Sequence, residues 1–596
     1  MEKHVKTIND VFYSVVERNL DCVLKYKTNH AWKPMSAADL YRNVVGVARA
    51  LSAFGVETGD RVAILSENRP EWAMVDFATM LLGAADVPIY PTLTAEQSAY
   101  VLKDSGAKVV FVSTQEQLRK VLSVKSSTLL EKIVVMDPVD TPDATPMHEL
   151  LKMAPIGRDP LFDEHAKSIT PETMATVIYT SGTTGTPKGA ILTQGNLASN
   201  LMHSLDFYQF LHGHSSISFL PLSHITARHV DYAMYWHGVT VAYVPFIDEL
   251  LVALKEVRPT VFVAVPRVYE KIYSQTLAKI GASGVKRKLY DWAIGVGERH
   301  RDAVYAGKTP ASLNWRIANA LVFSKVKEAL GGRVEVYISG GAPLSNDIQD
   351  WYAALGVRIY EGYGLTETSP VIALNNPMSY RAGSVGRPLG NLDVKIAEDG
   401  EILVKGASVF KGYWNMPAET VNAFVDGYFK TGDVGHVDAD GFLFITDRKK
   451  DLIKTSGGKF IAPQPIENKL KGHEVIAEAA MIGDRRKFAM VILAPNFAIL
   501  EAWAREHGVA FASREELVSD PKVQAMYRGI VDEVNANLAQ FEKMKKVLVV
   551  ADEFTVANGF LTPTLKLKRR VVEAKYREQI EELYATPANE PVVTAT

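Results

Sequence analysis

The feature that most constrains this chain is an alternation. From residue 37 to about 330, segments with helically spaced apolar residues, such as 38–54 and 69–82, alternate with short β-branched runs at 61–65, 108–112, 132–135 and 260–265. Strand and helix in turn is the pattern of βαβ units, whose crossovers pair strands in parallel, so the region reads as α/β with parallel-rich sheets. From 385 to 446 the rhythm changes to short strands with polar turns, Asp399-Gly400 between LDVKIAE and EILVKG and Asp440-Gly441 ahead of FLFIT. This predicts an antiparallel, barrel-like subdomain. A charged joint, DRKKDLIK, leads into a fresh mixture of strands (479–482, 489–493) and helices (496–507, 522–538), read as a separate small α+β domain. The expected division is 1–447, holding two parallel-rich α/β subdomains and the barrel-like one, and 448–596. The end, TPANEPVVTAT, reads as a loose tail.

Composition narrows the function classes. The 596 residues are 47% hydrophobic and 22% charged, ordinary for a chain that builds several cores. A net charge of -2 gives no footprint for nucleic acid. Cys22 is the only cysteine, which excludes an intrachain disulfide, a multi-thiolate metal site and a CxxC redox pair, and fits a reducing, cytoplasmic home. The start, MEKHVKTIND, is charged where a signal peptide needs an apolar centre. No stretch of about 18 apolar residues follows, and the nearest candidate, 232–247, is too short and contains Pro245. The segment 271–327 interleaves Lys286, Arg287, Lys288, Arg299 and Arg301 with Leu289, Tyr290 and Trp292, a pattern of a helix solvated on one face or lying on a membrane surface.

The most informative stretch is 175–190, ATVIYTSGTTGTPKGA, in which a buried-strand run feeds a loop of hydroxyls and glycines ending in one lysine. Gly182, Gly185 and Gly189 permit close backbone approach, Thr180, Ser181, Thr183 and Thr184 offer hydroxyls, and Lys188 supplies a cation. Phosphate oxygens want all three. A Walker loop is excluded, because Pro187 stands where its second glycine belongs and Gly189 follows the lysine. A flexible Ser/Gly/Thr linker has no need of the preceding VIY strand or of the closing PKG.

This loop resembles the phosphate-binding signature of the AMP-forming acyl-CoA synthetases, within the adenylate-forming ligase superfamily. Six further matches follow in family order: LPLSH (220–224), SGGAPLS (339–345), YEGYGLTET (360–368), YFKTGDVG (428–435), DRKKDLIKTSGGKFIAP (447–463) and LTPTLKLKRR (561–570). The resemblance implies that Glu367 is a Mg²⁺ ligand with Thr183 or Thr184, and that Thr366 touches the α-phosphate of ATP. It places the nucleoside against Gly341, Ala342 and Pro343 on one side and Tyr363 on the other, within a strand segment that includes Glu361, Gly362 and Gly364. Asp433 takes the ribose hydroxyls with Arg448 in support. His224 lines the acyl carboxylate pocket, and the tryptophan gate that some bacterial long-chain relatives carry four residues later is here Arg228, with Trp236 unassigned to that role. Lys566 is the lysine that reaches the reacting oxygens during adenylation. The C-terminal domain is then mobile, with Lys450 as pivot, Lys454 as a second cation, and Gly457 and Gly458 leaving room for the pantetheine arm of coenzyme A.

VAVPRVYEKIY (263–273), the long insert after it and TPTLKLKRR look like the long-chain fatty acid–CoA ligase branch. The implied partners are a long-chain fatty acid, ATP and coenzyme A, with peripheral contact at the inner face of a membrane. Open beside this are a ligase that stops at acyl-AMP, one for medium-chain or aromatic acids, and a non-catalytic nucleotide- or lipid-binding paralogue.

Overall fold

The computed structural model describes residues 4–180, 186–208, 210–211, 213–281, 284–456, 459–562, 567–586 and 593–595. Its first sheet has eight strands, with β1 (Ala85–Ile89) and β2 (Met174–Thr180) near the middle and β3 (Lys188–Thr193) beyond them. The strands from β2 through β1 to the far edge pair in parallel. They read as continuous apolar runs because helices cover both faces of such a sheet. β2 and β3 pair antiparallel with Thr180 opposite Lys188, so the phosphate-loop motif begins on one strand of a hairpin and ends on the other. Within that motif, 181–185 lie outside the described residues.

The second sheet has nine strands, among them β4 (Val336–Ser339) and β5 (Ile359–Gly364), which pair in parallel. One continuous core joins the two sheets. Helix α1 (Pro70–Leu81) lies in it, buried at every residue except Glu71, which is why PEWAMVDFATML is apolar nearly all round. The observed helices Ala37–Ala53 and α1 fall within one residue of the expected bounds. The second sheet also contains a hairpin, Leu24–Thr28 with Ala31–Met35, docked in parallel on Thr240–Tyr243. Its strands are mostly exposed or half-buried and carry no clean alternation, so the local pattern did not announce them.

Five strands between 392 and 448 form the expected antiparallel sheet, with β6 (Tyr428–Val437) and β7 (Leu443–Arg448) pairing at its end. Gly400 and Gly441 take positive φ in the two expected turns. Farther on, a four-stranded sheet (Ile476–Ile482, Ala489–Pro495, Met544–Val549, Val593–Ala595) has its own apolar clusters. The last of these strands corrects the loose-tail expectation. Residues 593–595 add to a sheet edge in parallel, and ladder hydrogen bonds order a short β-branched segment that local sequence leaves free.

Helix α2 (Ile225–His237) precedes the second sheet's strand 261–264, and between that strand and 336–339 the chain runs through helices that include α3 (Val285–Glu298) and α4 (Leu313–Ala318), the last continued by a π-helical turn, Asn319–Phe323. Among the described residues no helix is long and apolar enough to cross a membrane.

Candidate active site

The β2–β3 hairpin delivers Lys188 to a cluster it could not find locally. Its ammonium is ion-paired with Glu419 and lies over the ring of Tyr413, 5.3 Å from the centroid. Tyr413 is placed there because Gly412–Tyr413 pairs antiparallel with β3. Its hydroxyl donates to Glu367 Oε1 at 2.9 Å, and burial with the two carboxylates nearby pushes that hydroxyl's pKa well up, keeping it a donor. Lys188, Glu419, Tyr413 and Glu367 thus form one connected polar set.

The second half of the site grows from β4 and β5. The loop after β4 exposes Gly341, Ala342 and Pro343, with Gly341 at φ 83°, a conformation that favours glycine. On β5, Glu361 is buried; its carboxylate accepts from Gln349 Nε2 at 2.9 Å and from the Leu344 amide at 3.3 Å, so it braces this loop from below. Burial raises its pKa to about 7. Gly362 precedes Tyr363, whose hydroxyl donates to Asp433 Oδ2 at 2.7 Å. Asp433 on β6 faces Arg448 on β7 in register, and Arg448 Nε lies 3.2 Å from its Oδ1. Lys450 lies in the same neighbourhood; burial, together with repulsion from Arg448, lowers its pKa. At Gly364 a side chain would strike the Pro370 carbonyl oxygen at 1.9 Å, so the tight return that follows β5 requires glycine. Thr366 is buried at the start of the short helical turn 366–368, and Glu367 is half-buried beside it.

His224 caps α2: its Nδ1 accepts the Thr226 amide at 3.2 Å, which leaves the neutral ring's proton on Nε2. One turn later, Arg228 is 1% exposed. Its Nη2 reaches Asp76 on α1 and Asp86 on β1, each at 2.7 Å, its Nη1 reaches Thr176 on β2 at 3.0 Å, and its guanidinium stacks on Trp72. Burial opposes its charge, yet the two carboxylates push its pKa up; burial pushes the Asp76 carboxyl up as well. The gate position therefore holds a clamp between α2, α1 and the strand that feeds the phosphate loop. Trp236 is buried in the core.

Two family models match, one described as AMP-binding enzyme over residues 17–414 and one as AMP-binding enzyme C-terminal domain over 450–588. The chain is 37% identical over 582 residues to the long-chain-fatty-acid–CoA ligase FadD15 of Mycobacterium bovis, covering 97% of this chain and 95% of that protein. It is 33% identical over 623 residues to the long-chain-fatty-acid–CoA ligase ACSBG2 of Xenopus laevis, covering 97% and 84%. The chain is an AMP-forming acid–thiol ligase of the adenylate-forming superfamily. Among solved structures, the adenylation domain of a carboxylate reductase from Mycobacterium chelonae superposes with a TM-score of 0.77 at 22% identity, covering 98% of the ligase and 92% of that chain. An anthranilate–CoA ligase in complex with anthranoyl-AMP superposes with a TM-score of 0.74 at 19% identity, covering 97% and 99%. These likenesses concern the fold.

In the ligase, several of the site residues expected from sequence come together in two sets. Lys188 and Glu367 meet through Tyr413; Tyr363, Asp433, Arg448 and Lys450 meet around the β6–β7 pair. Lys454 is exposed and its ammonium lies over the ring of Phe460, 5.3 Å from the centroid. Ser181, Gly182, Thr183, Thr184, Gly185, Gly457, Gly458 and Lys566 lie outside the described residues. Four residues were missed. Glu419 and Tyr413 carry no local signal. Asn196 and Asn200, on the helix Gln194–Ser204 that follows β3, donate respectively to the carbonyls of Ala407 and Val409 and to those of Thr368 and Val371, fixing the loop that holds Thr366 and Glu367. Their spacing of four on the helix leaving the phosphate loop was the available clue.

The donor chemistry fits Mg²⁺. Among the described residues no three His, Cys, Asp or Glu side chains gather to form a protein cage, and Glu367 offers a single hard carboxylate. That is how Mg²⁺ is held when substrate phosphates complete its shell. Cys22 is half-buried and burial raises its thiol pKa, against a nucleophilic role.

Proposed function

We propose that the ligase joins a long-chain fatty acid to coenzyme A, forming acyl-AMP and pyrophosphate from ATP and then acyl-CoA and AMP. The observation that carries the acyl class is the match along nearly the whole chain to proteins named long-chain-fatty-acid–CoA ligases. The two polar sets flanking β5 support the adenylation half.

A carboxylate attacking the α-phosphate meets an anion, and the departing pyrophosphate gathers charge, so the site must supply cations and donors aimed at those oxygens. Lys188 serves the phosphates by exchanging Glu419 for them. Asp433, an acceptor already oriented by Tyr363 and Arg448, takes the ribose hydroxyls. The loop 341–343 and Tyr363 give the flat surfaces a purine stacks on, Thr366 donates to the α-phosphate, and Lys566 meets the charge that develops during adenylation. His224 offers its Nε2 proton to the acyl carboxylate. Mg²⁺, held by Glu367 with Thr183 and Thr184, would neutralise phosphate charge. Lys450 is the pivot of the rotation that leads to the second half-reaction, Lys454 is a second cation near the phosphates, and Gly457 and Gly458 line the thiol's approach.

The test is a chromatographic product assay with ATP, Mg²⁺, coenzyme A and free acids from short-chain to very-long-chain and aromatic, with and without the thiol. Acyl-CoA and AMP, greatest with long chains, are expected. Greatest turnover with short or aromatic acids overturns the acyl class, and acyl-AMP accumulating with coenzyme A untouched overturns the thiol step.

A further inference from the structure

The segment from 285 to 321 concentrates large apolar side chains that nothing covers. Val285, Leu289 and Trp292 on α3 are between 37% and 83% exposed, and Leu313, Ile317 and Leu321 on α4 and its continuation between 41% and 71%. The spacings, i, i+4, i+7 and i, i+4, i+8, put each trio on one helix face. α4 has a separate buried side, formed by Trp315 and Ala318, whereas on α3 the buried Ala293 and Val296 lie one turn beyond Leu289 and Trp292, so the α3 stripe is exposed over its first two turns only. These exposed side chains are additional to the core, and the two helices that carry them pack against each other. Tyr290, interleaved with bases in the sequence, turns inward and accepts a hydrogen bond from Trp351 Nε1 at 2.6 Å, leaving Leu289 and Trp292 as the outward pair.

Charge identifies what fits this face. Residues 284–328 hold nine Lys and Arg against four Asp and Glu, in a chain whose net charge is -2. Lys286, Lys288, Arg316 and Lys325 are exposed among or beside the apolar residues. Arg287 is tied to Asp291 at 2.8 Å and is partly neutralised. A second copy of the chain would set this basic rim against itself. An apolar strip with exposed Trp, flanked by lysines long enough to reach headgroups, matches instead the boundary between acyl chains and an anionic headgroup layer.

We propose that α3 and α4 form a docking face for an anionic lipid bilayer, entering it with the Leu289, Trp292, Leu313 and Ile317 side and holding its headgroups with the lysine rim. The inference rests on the surface alone, whichever acid the ligase activates.

The experiment is co-sedimentation of the full chain, without ATP or acid, with vesicles of pure phosphatidylcholine and of phosphatidylcholine containing about one-third phosphatidylglycerol. Partition onto the anionic vesicles is expected to exceed that onto the neutral ones at least about tenfold, each basic residue at the surface contributing roughly fivefold, and to collapse near 1 M salt, where screening shortens to about 3 Å. Leu313→Glu with Ile317→Glu, and separately Lys286→Glu with Lys288→Glu, should each lower anionic partition about tenfold or more while leaving the thermal unfolding midpoint unchanged. All these positions are solvent-facing, and the charge pair removes no buried atom. Equal binding to both vesicles, no binding at low salt, or undiminished binding by either variant overturns the proposal. So does a wild-type dimer in sedimentation velocity that the Leu313→Glu, Ile317→Glu variant dissolves while vesicles bind neither protein, because a second copy then covers the face.

Discussion

Asp433 and Glu361 are two buried carboxylates on the same wall of the site, with opposite assignments. Asp433 accepts from Tyr363 and is paired with Arg448, so both of its carboxylate oxygens are held in place. Asp433→Asn keeps the volume, weakens both contacts and replaces an acceptor with a donor. A rise of about tenfold or more in the KM for ATP, with a smaller change in kcat, is expected in acid-dependent pyrophosphate exchange, since a hydrogen bond to a charged group contributes about 1.5–3 kcal/mol. Glu361 has only neutral partners, and burial lifts its pKa to about 7. The folded state then holds its proton more tightly than the unfolded state, so its contribution is complete below about pH 4.3 and is lost as pH rises toward 7. Denaturant titrations of wild type and Glu361→Gln should therefore diverge with pH, the wild type losing on the order of 3 kcal/mol more than the variant between pH 4 and pH 8. Parallel pH profiles would mean that Glu361 does not titrate in this window.

Helix α2 joins the two parallel sheets by charge as well as by packing. Its N-cap is His224, and its first turn drives Arg228 between Asp76 and Asp86, beside Thr176 of the strand that leads to the phosphate loop. Arg228→Met fills much of the space but strands two carboxylates in the core, and a loss of about 3–5 kcal/mol by urea unfolding is expected. Adding Asp76→Asn should recover part of that loss; no recovery would show that the two groups do not act together. The periodicities of 37–53 and 70–81 were legible because a buried helix or parallel strand writes its apolar face directly into local sequence. The hairpin at 24–35 was not, since its pairing with 240–243 rests on backbone hydrogen bonds more than on buried side chains. The adenylate-forming family was also legible, from the order of its motifs. Their companions Tyr413, Glu419, Asn196 and Asn200 were not, because each acts on a group far along the chain or on a backbone carbonyl.

Across the whole molecule, the joint 447–454 connects the site to the C-terminal sheet. Lys449 is held at 2.6 Å from Asp399 Oδ2 and 2.7 Å from Glu401 Oε2, and Arg569 pairs with Glu467 on the far side of the joint. Arg267, on the helix Pro266–Ile280, donates to the Ala477 carbonyl at 2.9 Å and lies 3.3 Å from Glu478, fastening the C-terminal sheet to the larger region. If Lys566 acts only while the C-terminal region faces the nucleotide, the two half-reactions separate genetically. Lys566→Ala should lower adenylation, measured by acid-dependent pyrophosphate exchange, by about 100-fold or more, while thioester formation from supplied acyl-AMP stays within a few fold of wild type. Unchanged adenylation would remove Lys566 from the mechanism.

Length, alternation and the ordered motifs determined by themselves that this chain builds parallel α/β sheets, an antiparallel sheet and a C-terminal α+β region around phosphate chemistry. Those properties are written in residues close together: a strand's β-branched run, a turn's Asp-Gly, a loop's glycines and lysine. Tertiary structure alone decided the partners. Lys188 meets Glu419 across 231 residues and Arg228 meets Asp86 across 142. A charge in a sequence has the same letter whether solvent or protein surrounds it, and folding chose the surroundings: it buried Arg228 between carboxylates and left Leu313 and Ile317 in water.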